Sequence, residues 1–113
     1  MANVKLELPI RTVSELNSRD HWRLRNLRRL EQRRTVYYAW KAKVRRKPVL
    51  PCTVKLTRLG PRRLDDDNCQ GSFKFCRDVI AELLGVDDAD PRIKFEYDQQ
   101  QSTRYGVVIE VTQ

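Results

Sequence analysis

Three adjacent carboxylates, Asp65, Asp66 and Asp67, run into Asn68 and Gln70, and Lys74 follows. Asp65 and Asp67 are two apart, so on an extended run into a helix they point the same way. Gln70 and Lys74 then rise along the stripe that starts at Asp67, one and two helical turns further on. That pattern suits magnesium, a hard cation that takes oxygen ligands at ~2.1 Å. It usually takes one or two carboxylates and fills its other positions with water and substrate phosphate. Held there, it polarises a phosphodiester and lowers the pKa of a bound water, while a nearby lysine neutralises charge developing in the transition state. A second acidic group, Asp87-Asp88-Ala89-Asp90, comes just after the helix should end.

Two other accounts of the carboxylates need weighing. Asp67 with Gln70 fits a capping box, and Asp88 to Pro91 fits a turn. One cap needs one carboxylate, worth ~1 kcal/mol, which leaves two aspartates that repel each other without a purpose. Calcium fits the first places of an EF-hand loop through Asp66, Asn68, Gln70 and Gly71. It fails at the twelfth, where Arg77 stands in place of a bidentate glutamate.

The chain around these groups is basic. Its 113 residues carry 23 Lys and Arg against 15 Asp and Glu, a formal net charge of +8. A polyanionic partner is the physical expectation, with cations mediating between it and the carboxylates. The positive charge concentrates in residues 19–47. Its first 26 residues, 19–44, lack glycine and proline and read as helix. Leu27, Leu30, Tyr37 and Trp40 can share an apolar face. Around them sit Arg23, Arg25, Arg28, Arg29 and Arg33, with Lys41, Lys43, Arg45, Arg46 and Lys47 further on, against only Asp20 and Glu31. A solvated face explains many charge runs, but like charges at helical spacing repel, and so one-sided an imbalance points to phosphate contact. Arg62 and Arg63, which lead into the acidic stretch, extend the same basic character.

The remaining pattern sets the scaffold. Val4, Leu6, Leu8 and Ile10 alternate as a strand, with Pro9 marking its edge or exit. Ser14 or Asn17 can cap the helix that follows. Cys52, Val54 and Leu56 alternate as a second strand, stopped by Gly60-Pro61. Phe73, Cys76, Ile80 and Leu83 repeat at helical spacing, with Gly85 as C-terminal cap. Ile93, Phe95 and Tyr97 form a third strand, residues 99–104 a polar loop, and Val107, Ile109 and Val111 a fourth strand. The expectation is one small α/β domain over residues 1–113, in the order β-α-β-α-β-β, with a mixed sheet packed against two helices. Residues 62–90 hold the acidic region.

Several function classes fall away. No run approaches the ~20 apolar residues of a membrane span, and no signal-peptide core opens the chain, so a cytoplasmic protein is expected. Cys52, Cys69 and Cys76 make no zinc pattern, and His21 is the single histidine, too isolated to activate a nucleophile.

The run Arg63-Leu64-Asp65-Asp66-Asp67-Asn68-Cys69-Gln70, a lysine-bearing helix and then Asp87-Asp88 resembles the RusA family of Holliday junction resolvases. That resemblance covers most of the chain. It implies a homodimeric, magnesium-dependent endonuclease, often prophage-encoded, with manganese as a substitute metal, that nicks four-way branched DNA symmetrically by phosphodiester hydrolysis. Asp65 and Asp67 match the family's paired carboxylates, Asn68 the asparagine after them, and Asp88, with Asp87 beside it, the later acidic pair. Lys74 matches the family lysine only across an extra helical turn. By this resemblance Asp65, Asp67 and Asp88 would be catalytic metal ligands with Asp87 close by, and Lys74 would stabilise charge. Arg23, Arg25, Arg28, Arg29, Arg33, Arg62, Arg63 and Asn68 would meet DNA. The runner-up is a non-catalytic nucleic-acid-binding protein working through its arginine-rich helix. A nucleotide phosphatase ranks last, because the chain has no glycine-rich phosphate cradle.

Overall fold

Alternating residues on four strands and a three-to-four repeat on the helices bury a single core. The computed structural model describes residues 3–15 and 21–113. Within them run β1 (Val4–Leu8), α1 (Trp22–Lys43), β2 (Cys52–Gly60), α2 (Asp66–Ser72), α3 (Lys74–Leu84), β3 (Ile93–Gln101) and β4 (Gly106–Thr112). The sheet order is β1-β4-β2-β3. β4 is antiparallel to both β1 and β2, whereas β2 and β3 are parallel. This is the expected α/β class and element order, with the second helical unit broken in two.

The strand pattern explains the layers. Leu6 lies opposite Ile109, and Ile109 opposite Leu56, so one face of the sheet is a continuous apolar row. Against it pack Val36 and Trp40 from α1 and Phe73, Cys76, Val79, Ile80 and Leu84 from the helical crossover, all in one cluster. The other face carries Lys5, Glu7 and Lys55, as a one-sided sheet should. No helix is long and apolar enough to cross a membrane among the described residues.

Helix α1 turns a different face inward from the expected one. Trp40 is buried, but with Gln32 and Val36, a stripe at four-residue spacing. Leu27, Leu30 and Tyr37 stand 60%, 45% and 41% exposed. Ion pairs help set the roll of the helix: Arg28 grips the buried Glu15 through both carboxylate oxygens, and Arg33 pairs with Glu82 on α3. The N-cap is His21, whose Nδ1 accepts from the Arg23 amide at 3.2 Å. Of the expected caps, Asn17 lies outside the described residues, and the Ser14 hydroxyl instead donates to Asn68 at 2.7 Å.

The second helix breaks at Phe73, whose φ of −95° and ψ of 6° leave the α region. Its ring is fully buried and stacks on Tyr97 at 6.0 Å between centroids. Gly71, a weak helix former, sits just before the break. α3 then ends as expected at Gly85, at φ +81°, whose N–H returns to Ala81 and Glu82. β3 runs on through Gln101, beyond the expected start of the loop. Its neighbour β2 supplies ladder partners to the end, pairing Arg58 with Gln99 and Gly60 with Gln101.

Phe73→Ala should lower the free energy of unfolding by ~3–5 kcal/mol, the usual cost of emptying a buried aromatic site. Leu27→Ala should change it by less than ~0.5 kcal/mol, as at surface positions. Denaturant titration of both variants checks the assignment of the buried face.

Candidate functional site

Parallel pairing decides which acidic residues meet. β2 and β3 run together from Cys52 beside Ile93 to Gly60 beside Gln101. Asp65, Asp66 and Asp67 follow the carboxyl end of β2. Asp87, Asp88 and Asp90 precede the amino end of β3. The crossover carries the chain from one end of the sheet to the other, so the two acidic groups are set apart. Asp65 and Asp67 share one helix start; Asp88 does not join them. Among the described residues, no group of three or more His, Cys, Asp or Glu is arranged to hold a metal ion.

At the first group, Asp65 is the N-cap of α2, in place of the expected Asp67. Its Oδ1 accepts from the Asn68 amide at 2.8 Å and its Oδ2 from the Asn68 side chain at 2.9 Å. Asn68 is thereby a bracket, holding Asp65 on one side and Ser14 on the other. Asp66 and Asp67 occupy the first turn, exposed and without an ion pair among the described residues. Their charge is favoured there by the helix dipole. Lys74 begins the next helix, exposed, beyond the break at Phe73, so the straight stripe from Asp67 is interrupted before it.

At the second group the side chains serve the turn. Asp87 Oδ1 accepts from the Ala89 amide and Asp90 Oδ1 from the Arg92 amide, each at 2.9 Å. The Ala89 hydrogen bond lowers the pKa of Asp87, and the neighbouring Asp87 carboxyl raises that of Asp88. Asp78 and Arg77 on α3 are the next charges that Asp88 feels. The Arg92 guanidinium holds Asp90 down at about 2.

The arginines divide as sharply. Arg25 and Arg28 are spent on Glu15, a residue 2% exposed, and Arg33 on Glu82. Arg23, lying over the Trp22 ring, Arg29, Arg62 and Arg63 remain on the surface. Arg58 is one that the sequence reading missed. It lies on the inward-facing row of β2, 6% exposed, at the carboxyl end of the parallel strands where ligands gather in open α/β sheets. A basic residue where alternation calls for an apolar one was the available signal. Two cavities flank this corner. One of about 400 Å³ is lined by Arg63, Asp66, Gln70, Tyr97 and Asp98 among others. The other, of about 290 Å³, is lined by Arg58, Gly60, Arg62, Arg63 and Gln99 to Gln101.

Burial raises the pKa of all three cysteine thiols, Cys76 to about 12, so none is a nucleophile near neutrality. No protein-family model and no curated protein matches this chain.

Asp65→Ala should cost ~1 kcal/mol of stability by removing the cap, whereas Asp65→Asn should keep it and Asp67→Ala should cost less than ~0.5 kcal/mol. Denaturant titration separates them. In a carboxyl NMR titration Asp90 should protonate near pH 2 and Asp88 above an ordinary aspartate. Because the Asp90 pKa is depressed, its contribution to stability is complete above its unfolded value of about 3.8 and fades as pH falls through about 2.

Proposed function

We propose that this chain is a magnesium-dependent, structure-selective DNA endonuclease that acts on four-way junctions as a homodimer. The supporting observation is the corner after β2, where three carboxylates stand beside Arg58, Arg62 and Arg63 and only Asp65 is needed as a cap. A basic surface recruits the phosphate backbone, and carboxylates placed within it call for a cation.

Asp65 and Asp67 supply two carboxylates, the usual protein share at a magnesium site, so the donor set fits that ion. Asp65 uses two of its roughly four acceptor sites on Asn68 and keeps the others. When bound, the metal would neutralise phosphate charge and make a water more acidic. The chain's own residues orient the substrate: Arg62 and Arg63 hold backbone phosphate, Asn68 fixes the Asp65 carboxylate, and Lys74 offers a positive charge beyond the break. Asp87 and Asp90 hold the turn before β3, and Asp87 and Asp88 take no ligand role. Two symmetric nicks need two such sites, which a two-fold dimer provides.

A second reading, a nucleic-acid-binding protein without catalysis, is favoured by the structural places the aspartates already fill, Asp65 as the cap of α2 and Asp66 and Asp67 in its first turn. Incubation with a synthetic four-way junction, with and without magnesium, separates the two. The nuclease reading expects paired symmetric nicks that need the metal, spare linear duplex and vanish in Asp67→Asn, with junction binding kept or tightened. Tight binding without nicks in magnesium or manganese would leave the binding protein.

The arginines give an independent check. Arg29→Ala should weaken DNA binding uniformly across sequences and reduce the salt slope by ~1. Arg28→Ala should act mainly on folding, losing ~1.5–3 kcal/mol because, among the described residues, the buried Glu15 carboxylate keeps only its 3.6 Å contact with Arg25. Binding measured at several salt concentrations, beside denaturant titration, distinguishes the two roles.

A further inference from the structure

Arg58 is a charged side chain placed where an apolar one belongs. Cys52, Val54 and Leu56 precede it on the inward row of β2, and all are buried. Its Nη1 donates to the Arg62 carbonyl at 2.7 Å. Its Nε, also buried, has no hydrogen-bond partner. Among the described residues it forms no ion pair. A guanidinium has five donors and cannot shed its proton. Burying it without a counter-ion is costly, several kcal/mol even after relaxation. A staple for the turn at Arg62 would need only one neutral donor.

The backbone has made room for this group. A Cβ on Gly60 would lie 3.0 Å from Nη1, 3.2 Å from Nη2 and 3.3 Å from the guanidinium carbon of Arg58. The Ser102 amide closes the same corner by donating to the Gly60 carbonyl at 2.9 Å. The cavity of about 290 Å³ at this place has Arg62 and Arg63 on its rim. None of its lining residues carries a carboxylate. It shares Arg63 and Gln99 with the larger cavity that reaches Asp66.

We propose that the Arg58–Gly60 cavity is a receptor for a single phosphate group, and that its occupant is a DNA backbone phosphate neighbouring the one presented to Asp65 and Asp67. The choice of occupant rests on the nuclease reading; the receptor itself rests on the unpaired guanidinium. A tetrahedral anion supplies the missing counter-charge and accepts from a planar fork of donors. Seated there, it fixes which phosphodiester meets the carboxylates.

The test follows the Arg58 Nε–Hε resonance at constant ionic strength, titrated with inorganic phosphate and, separately, with a short single-stranded oligonucleotide lacking terminal phosphates. Both should produce a saturable shift, the oligonucleotide at least tenfold lower in concentration. Gly60→Ala should raise the half-saturating concentration at least tenfold. Arg58→Met should keep or raise Tm in chloride, because an apolar group replaces an unpaired buried charge, and should lose the rise in Tm that phosphate gives the unaltered protein. A shift with phosphate but none with the oligonucleotide would overturn the DNA occupant and leave a receptor for free phosphate. No saturable shift with either, or an unchanged phosphate response in both variants, would overturn the receptor. If the shift persists while four-way junctions are never cut, the nuclease reading alone falls.

Discussion

The parallel pairing of β2 with β3 governs the chemistry of this molecule. Nine residues on each strand are held in one register, and the α2–α3 crossover must span that length before the chain can return. Whatever precedes β3 is therefore delivered to the opposite end from whatever follows β2. Aspartates about twenty positions apart in sequence separate for that reason, and turn chemistry accounts for the later group. The carboxyl end of β2 keeps Asp65, Asp66 and Asp67, and it also gathers Arg58, Arg62 and Arg63, which form no ion pair among the described residues.

Charge is distributed by the same logic. The basic excess reads in the sequence as one long helix, yet its members do different things. Arg25 and Arg28 are drawn to the buried Glu15, where pairing is more valuable than solvation, and Arg33 pairs with Glu82 at the surface. Arg23 and Arg29 stay in water, where phosphate contact costs no buried partner. Arg58 is the opposite case, buried without an acidic group, and the strand that buries it ends beside the acidic helix start. Positive charge without an acidic partner among the described residues then belongs to one corner as much as to one helix.

Much of the fold was legible in the amino-acid order. The alternation of Val54 and Leu56, and of Val107, Ile109 and Val111, gave the strands, and Gly85 gave the end of α3. Less legible were features that depend on neighbours remote in sequence. The face that α1 buries depends on Glu15 and Glu82, so local periodicity picked Leu27 and Leu30 over Gln32 and Val36. The break at Phe73 follows from burying its ring against Tyr97. In the candidate site the paired carboxylates, and the arginines that lead into them, were visible from the sequence. The position of Asp88 needed the strand register, and Arg58 looked like one more arginine until β2 turned it inward.

The central claim is that a divalent cation belongs with Asp65 and Asp67 at the carboxyl end of β2, apart from Asp87 and Asp88. Paramagnetic broadening by substoichiometric manganese, read on backbone amides, tests it directly. The account predicts selective loss of signal over residues 62–70, largely relieved in Asp67→Asn, with residues 86–92 retained. Broadening centred on residues 86–92 and indifferent to Asp67→Asn would contradict it.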